Sequence, residues 1–268
     1  ELGGAIDAFH QSVLLTAPSD LDYSGVVRLL QAVLDHHDAL RARLRRSDWS
    51  LEVPPPGSVR ADDLVEVGPI ERYRASAVAG LAPDEGVMLR AVFSPGQRRL
   101  LLVAHHLVVD GVSWRILADD LARAWEQYAA GRPVSLPPVR TSMRTWSREL
   151  KARAAEFRDR SWPAFAPTNL TTVDDYGTAA GLRSLAVELD VERTAALLTR
   201  VPAAYHGRVP DLLLTALAIA VGRVRGESGL LVDLEGHGRE EFGHTDLSRT
   251  VGWFTSLFPV RLDPGEPD

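Results

Sequence analysis

The chain has 268 residues, enough for one large domain or two of ordinary size, and its 45% hydrophobic content can bury a core. Its 30 basic and 36 acidic side chains give a formal net charge of -6 without a basic patch, which argues against nucleic acid as a partner. Cysteine is absent, so disulfides, thiolate nucleophiles and sulfur-ligated metal sites are excluded, and this absence fits a reducing compartment.

The apolar segments are too short to predict a membrane protein. The longest helix-like apolar run, residues 212–221, is about half of the ~20 residues that a membrane span requires. The N-terminus lacks a basic-then-apolar export signal, so we expect a cytoplasmic protein without a membrane partner. The chain begins at Glu1 rather than Met and stops soon after a strand-like segment, so we expect both ends to be cuts in a longer polypeptide.

Hydrophobic periodicity predicts strands and helices in both halves of the chain. In the first half these are strands at 10–17 and 44–53, a helix at 24–40, a β-hairpin formed by 87–93 and 98–104, and helices at 113–128 and 141–160. Residues 161–181 are irregular enough to be a linker. A second α/β set follows, with strands at 185–189 and 229–234, helices at 191–200 and 211–223, and an aromatic and apolar segment at 251–262.

The stretch RRLLLVAHHLVVDGVSW, residues 98–114, ends a strand in two histidines and then starts a helix. Because side chains alternate along a strand, His105 and His106 should face opposite ways, and only one of them should enter a given cavity. An imidazole can carry a proton near neutral pH when a neighbour fixes its tautomer. Asp110 is suited to cap the helix or to form an ion pair, and Gly111 permits close backbone approach.

Spacing alone leaves other interpretations of this stretch open. A histidine at the end of a strand is commonly structural, and Asp-Gly before a helix is ordinary turn chemistry. His106 and Asp110 are four residues apart, as metal ligands can be, but the opposed histidines and the absence of cysteine argue against a metal site, and none is predicted. Five other histidines are interpreted as surface or packing residues: His10, His36, His37, His206 and His244.

The residue pattern goes further than the spacing. HHLVVDG, residues 105–111, resembles the HHxxxDG signature of the condensation-domain superfamily of nonribosomal peptide synthetases. Within that superfamily, the epimerization branch is resembled by Ser113-Trp114, by EGHGRE at 235–240, by DLSRTVGWFTSLFPVRLD at 246–263 and by residues 193–220. The resemblance covers nearly the whole chain, and the ordered succession of motifs is more specific than any one of them.

The resemblance implies an α/β fold of two chloramphenicol-acetyltransferase-like lobes, arranged in a V with the active site at their junction. Residues 1–163 would form the N-terminal lobe and residues 164–268 a partial C-terminal lobe. Because two lobes of about 200 residues each are expected, the second lobe would be incomplete, and an aromatic contributor to the site cannot be assigned.

The same resemblance implies epimerization, from L to D, of the Cα of an aminoacyl or peptidyl thioester. It places the catalytic histidine at His106 and the acidic partner at Glu235. Both residues follow predicted strands in different lobes, so they would converge on opposite sides of a substrate. Burial among the glycines of EGHGRE would suit Glu235 to proton transfer, whereas the motif standing alone favours a turn residue paired with Arg239.

The other residues of the motif are predicted to support the site. His105 would be packed behind the strand, and Asp110 would form a structural ion pair for which Arg41 matches the expected arginine. Losing either partner would leave a buried charge unpaired, at a cost of ~3 to 5 kcal/mol. Trp114 and Trp253 are predicted to be core aromatics, with tunnel lining as the alternative role.

No cofactor is expected to bind directly. The substrate would arrive on the phosphopantetheine of an upstream peptidyl carrier protein domain, and a downstream condensation domain or the next synthetase subunit would receive the product. The alternatives are a peptide-bond-forming condensation domain, a catalytically silent recruitment module of the same fold and, more remotely, acyl transfer to a soluble acceptor. EGHGRE counts against the first of these, and retention of His106, Asp110, Gly111 and Glu235 together counts against the second.

Overall fold

The fold is taken from a computed structural model, which describes residues 6–156, 183–226, 229–240, 242–263 and 265. The chain divides into two compact units. The first unit combines Glu1–Asp159 with His237–Thr255, and the second combines Arg160–Gly236 with Ser256–Asp268. Each unit is therefore built from two separate stretches of sequence, whereas a division between residues 163 and 164 makes each lobe one continuous stretch.

The first unit contains six strands and four helices among its described residues. They are β1 (His10–Thr16), α1 (Tyr23–His36), β2 (Arg43–Arg45), β3 (Ser50–Glu52), β4 (Val65–Val67), α2 (Ile70–Ala79), β5 (Leu89–Ser94), β6 (Arg99–His105), α3 (Gly111–Ala129) and α4 (Met143–Glu156). The sequence predicts most of these, but α1 ends earlier than expected because a 3-10 turn, Asp38–Arg41, follows it. The strand predicted at 44–53 is instead the hairpin of β2 and β3, and β4 and α2 are not predicted.

The two central strands of the main sheet of this unit, β5 and β6, are buried on both faces. The strand order of the sheet is β1-β6-β5-β4, in which β6 is antiparallel to both neighbours and β4 is parallel to β5. Leu100, Leu102 and Ala104 of β6 belong to the core cluster that includes α1 and α3. Leu101 and Val103 belong to the cluster formed with α2. This two-sided burial explains why β6 is a continuous apolar run rather than an alternating one.

Pairing of β1 with β6 determines what surrounds the two histidines. His10 pairs with His105 and Gln11 with Ala104, and the backbone N–H of His106 donates to the carbonyl oxygen of Phe9 at 2.9 Å. Phe9 therefore lies directly opposite His106, and Gln11 is its diagonal neighbour on the same face of the sheet.

The second unit contains three helices and a two-stranded sheet among its described residues. These are α5 (Val191–Leu198), α6 (Arg200–Ala204), α7 (Val209–Arg225), β7 (Leu230–Gly236) and β8 (Ser256–Leu262), with β7 antiparallel to β8. The strand predicted at 185–189 is wrong, because no described strand pairs with it and Leu185 is 91% exposed. The predicted linker at 161–181 lies outside the described residues.

The apolar segment predicted at 251–262 is divided between the two units. Residues up to Thr255 belong to the first unit, and β8 belongs to the second. Among the described helices, none combines the length and the apolar character that crossing a membrane requires.

Candidate active site

The imidazole of His106 contacts two aromatic rings, which also contact each other with centroids 5.8 Å apart. His106 begins a 3-10 turn, His106–Val108, directly after β6. The ring of Phe9 stacks on it with centroids 4.7 Å apart and an interplanar angle of 10°. Trp253 contacts it at 4.6 Å and 48°. Two apolar rings thus reduce the access of water to the imidazole.

The side-chain amide of Gln11 forms a hydrogen bond with one ring nitrogen of His106. Nε2 of His106 lies 2.9 Å from Nε2 of Gln11. The Oε1 atom of Gln11 accepts a hydrogen bond from the indole N–H of Trp114 at 2.8 Å. Nδ1 of His106 is buried and has no hydrogen-bond partner in the part of the chain that the structure describes. Gln11 is not predicted from the sequence, because only the register of β1 on β6 places it beside His106.

His105 has the contacts of a supporting residue. It is fully buried, its Nε2–H donates to the carbonyl oxygen of Ile6 at 2.8 Å, and its Nδ1 accepts from the backbone N–H of Leu107 at 3.2 Å. Burial lowers the pKa of His105 below its usual value of 6.5, against the opposing effect of the hydrogen bond to Ile6. The neutral ring therefore supports the turn in which His106 lies.

The partner predicted for Asp110 is wrong. Its carboxylate pairs with Arg239, whose Nη2 lies 2.9 Å from Oδ1 and 3.1 Å from Oδ2. Arg41 is buried but donates instead to backbone carbonyl oxygens, including those of Leu34 and Asp35 in the last turn of α1. Those carbonyls have no partner within the helix, so the guanidinium of Arg41 caps the end of α1 and is not free to reach Asp110.

The ion pair of Asp110 and Arg239 joins distant parts of the first unit. Asp110 is the N-cap of α3, as expected, and its Oδ1 accepts from the backbone N–H of Ser113 at 2.7 Å. Its Oδ2 accepts from the N–H of Phe254 at 3.2 Å. Arg239 also donates to two carbonyl oxygens within His237–Thr255, at 3.2 and 2.6 Å. These contacts hold that segment, which carries Trp253, against the start of α3.

Among the described residues, close backbone approach occurs at Gly252 rather than at Gly111. A Cβ added at Gly111 would meet no described atom within 4 Å. At Gly252 it would lie 2.7 Å from Sδ of Met143 and 2.9 Å from the ring of Phe254. Close approach at Gly111 therefore stays a prediction.

Glu235 lies in the second unit and is exposed. It faces the same side of β7 as the exposed Leu231 and Asp233, whereas Leu234 faces the groove beside α7. The predicted burial of Glu235 is therefore wrong among the described residues, because only the opposite face of β7 is covered. The alternative pairing with Arg239 is not supported either, because that guanidinium binds Asp110. Convergence of Glu235 with His106 remains a prediction.

A second charged cluster is built around Asp120, on the buried face of α3. Nε2 of His37 lies 2.9 Å from Oδ2 of Asp120, and Arg249 hydrogen-bonds Oδ1 of the same carboxylate. Burial acts to raise the pKa of Asp120, but the hydrogen bond from His37 and the charge of Arg249 outweigh it, so the pKa is lowered. Burial also lowers the pKa of His36, whose Nε2 lies 2.8 Å from the carbonyl oxygen of Pro137.

This cluster corrects the interpretation of His37 as an ordinary surface or packing residue. The ligand atoms of His36, His37 and Asp120 lie within 4.8 Å of one another, a spacing that would admit a metal ion. Both carboxylate oxygens of Asp120 are already hydrogen-bonded, one of them to the cation Arg249, so the arrangement is that of a buried ion pair. Helical spacing from Ser113 and Leu117 would have placed Asp120 on the buried face of α3.

The sheet, the HHLVVDG turn after β6 and the capped α3 define a condensation-type domain with the expected chloramphenicol-acetyltransferase-like fold. The sequence model of the condensation domain matches residues 84–268, and the chain belongs to that family. The chain is 40% identical over 285 residues to one of the linear gramicidin synthase proteins of Brevibacillus parabrevis, covering 96% of this chain and 6% of that protein. It is 38% identical over 283 residues to the chondramide synthase cmdD of Chondromyces crocatus, covering 96% of this chain and 7% of that protein. The chain therefore spans a small fraction of such relatives.

Solved structures confirm the α/β fold. The epimerization domain from the third module of tyrocidine synthetase B superimposes with a TM-score of 0.77 and 29% identity, covering 97% of this chain and 65% of that chain. The first condensation domain of the calcium-dependent antibiotic synthetase superimposes with a TM-score of 0.66 and 21% identity, covering 96% of this chain and 64% of that chain. The second likeness shows the fold alone.

Proposed function

We propose that the chain is part of an epimerization domain, which inverts the Cα of an aminoacyl or peptidyl thioester during nonribosomal peptide synthesis. The observation that carries the proposal is the similarity to the epimerization domain of tyrocidine synthetase B, with 29% identity over 97% of this chain. EGHGRE and the segment around Trp253 add to it, since the sequence pattern of both resembles the epimerization branch.

The reaction needs two proton carriers and no change of oxidation state. One carrier takes the proton as the Cα–H bond breaks, and the electron pair is delocalised onto the thioester carbonyl as an enolate. The other carrier gives a proton to the opposite face of Cα, which forms the new C–H bond. We assign these roles to His106 and Glu235, with His106 supplying an unprotonated ring nitrogen beside the rings of Phe9 and Trp253.

The surroundings of His106 favour proton transfer. The contacts with Phe9 and Trp253 limit the hydration of the imidazole, which strengthens the electrostatic interactions of a bound substrate. The Asp110–Arg239 pair acts through Trp253, because it holds the segment that carries this ring. Trp253 is accordingly proposed to line the substrate path. Trp114 is proposed to act indirectly, by holding Gln11 through the hydrogen bond from its indole N–H.

The substrate would be delivered on the phosphopantetheine of an upstream peptidyl carrier protein domain. The product would pass to a downstream condensation domain or to the next synthetase subunit, in the cytoplasm. The phosphopantetheine arm is part of the substrate in this scheme, and no bound cofactor is needed because the thioester itself acidifies Cα–H.

A chiral exchange assay tests the proposal. The cognate carrier protein is loaded with an L-aminoacyl thioester in D₂O, the parent polypeptide that contains this chain is added, and the released amino acid is analysed for D-isomer and for deuterium at Cα. We expect both, and we expect loss of both in His106→Ala and Glu235→Gln. Glu240→Gln, an exposed change in the same motif, is the matched control and should retain activity.

The remaining outcomes separate the alternatives. L-isomer without deuterium would overturn epimerization. If an acceptor aminoacyl carrier is then added and a peptide bond forms, the chain acts as a condensation domain. If neither reaction occurs although the carrier protein binds, the chain acts as a recruitment module.

A further inference from the structure

A chain of two side-chain hydrogen bonds determines the tautomer of His106. The indole N–H of Trp114 can only donate, so the atom of Gln11 that faces it at 2.8 Å must be the amide oxygen. The amide NH₂ of Gln11 therefore faces His106, with 2.9 Å between the two Nε2 atoms. Because this NH₂ group is also only a donor, Nε2 of His106 must accept and carries no proton.

We propose that Gln11 is a positioning residue, held by Trp114, that selects the Nδ1–H tautomer of His106 and so makes Nε2 the basic nitrogen. The inference rests on the proposed function only for its catalytic meaning, since the tautomer itself follows from the hydrogen bonds.

The backbone keeps these three side chains in place. Gln11 pairs with Ala104 in the β1–β6 ladder, and the ladder continues to the hydrogen bond between His106 N–H and the Phe9 carbonyl. Trp114 belongs to α3 and packs against the main core cluster of the first unit. Gln11 therefore cannot turn its amide over without leaving the indole N–H of Trp114 without an acceptor.

The selected tautomer suits one nitrogen of His106 to accept a proton. A general base uses the lone pair of its unprotonated nitrogen, and in this tautomer that nitrogen is Nε2, so a substrate has to displace the NH₂ group of Gln11 to reach the lone pair. Nδ1 is buried without a partner among the described residues, so a substrate has no access to it. In the wrong tautomer the lone pair would lie on this buried atom, and His106 would be present but inactive as a base.

Histidine NMR tests the proposal without any substrate. The full 268-residue chain is labelled with ¹⁵N at its 8 histidines, and two-bond ¹H–¹⁵N correlations report which ring nitrogen is protonated in each neutral ring. Absence of the signals in His106→Gln assigns those of His106. We expect the Nδ1–H tautomer in the wild-type chain.

Two substitutions change the proton donors that face His106. In Gln11→Glu the side chain only accepts, so the population should move to the Nε2–H tautomer, with a change in tautomer ratio of roughly fivefold or more, as expected for one hydrogen bond. In Trp114→Phe the amide of Gln11 is free to turn over, so both tautomers should be populated. Gln127→Glu is the matched control, because that side chain bonds Ser135 instead and should leave His106 unchanged.

Two results would overturn the proposal. One is an Nε2–H tautomer in the wild-type chain, and the other is an unchanged Nδ1–H tautomer in Gln11→Glu when the resonances of His105 show an intact fold. If Gln11→Glu does not fold, Gln11→Met decides in its place, since loss of the amide should also let both tautomers appear. Failure of the deuterium exchange assay while the tautomer behaves as expected would count against epimerization only.

Discussion

Asp110 and Arg239 form a buried ion pair across 129 positions of sequence, with 2.9 Å between Nη2 and Oδ1 and side-chain exposures of 4% and 7%. The pair joins the HHLVVDG turn to the EGHGRE motif. One residue of each motif is therefore structural, although both motifs resemble the active-site motifs of epimerization domains. The pair also explains why His237–Thr255 belongs to the first unit.

A double-mutant cycle on this pair should show strong coupling. Asp110→Asn and Arg239→Gln each leave a buried charge without its partner, so each should lower the free energy of unfolding by ~3 to 5 kcal/mol. Because the two side chains are in contact, their effects should deviate from additivity by about 0.5 to 3 kcal/mol in urea unfolding.

Arg41 provides the matched control for that cycle. Arg41→Gln should destabilise the chain by itself, because Arg41 caps α1, but it should combine with Asp110→Asn additively to within about 0.5 kcal/mol. Coupling of Asp110 to Arg41 instead of to Arg239 would contradict the observed ion pair.

Alanine substitutions at Gly252 and Gly111 should differ in their effect on stability, because only Gly252 is closely packed. Gly252→Ala places a methyl group against Met143 and the ring of Phe254, so it should lower the free energy of unfolding by about 1 to 3 kcal/mol. Gly111→Ala adds a methyl group in open space at the start of α3 and should leave stability unchanged or slightly higher. Thermal unfolding of both variants checks this, and equal losses of stability would contradict it.

The sequence predicts the centre of this site better than its surroundings. The β6 strand and the α3 helix follow from a continuous apolar run and from helical spacing, and Asp110 follows as the cap between them. Arg239 could not be assigned as its partner, because an ion pair between residues so distant in sequence depends on tertiary packing. Gln11 could not be predicted from the sequence either, since only the pairing of β1 with β6 places it beside His106.

Acid should destabilise the chain through His105. Burial holds the folded-state pKa of His105 below the unfolded value of 6.5, so the unfolded chain binds the proton more tightly. The contribution of the neutral ring is fully present above pH 6.5 and is lost as the pH falls below 6.5 toward the folded pKa. One such group changes the free energy of unfolding by at most about 1.4 kcal/mol per pH unit.

Urea unfolding on both sides of this pH checks the prediction. His105→Gln keeps a side-chain N–H for the carbonyl of Ile6 but cannot titrate, so it should show a smaller loss of stability on acidification than the wild-type chain. His244→Gln changes an exposed histidine and should retain the wild-type loss. An equal pH dependence in His105→Gln and the wild-type chain would show that the buried ring does not contribute.

Asp120 and Asp119 are adjacent on α3 but should respond differently to substitution. Asp120 is fully buried between His37 and Arg249, whereas Asp119 is exposed. Asp120→Asn should cost about 3 kcal/mol of unfolding free energy, at the lower end of the range for breaking a buried pair because Arg249 keeps 21% exposure. Asp119→Asn should change it by less than about 0.5 kcal/mol.

Melting temperatures identify the cation that balances the negative charge of Asp120. If Arg249 supplies the balancing charge, a chelator should leave the melting temperature of the wild-type chain unchanged, and added Zn²⁺ should not raise it. If a metal ion held by His36, His37 and Asp120 supplies it, binding to the folded state alone would raise the melting temperature with metal concentration, and chelation would reverse this. Arg249→Met separates the two cases, because it should destabilise the chain about as much as Asp120→Asn only if the guanidinium is the partner.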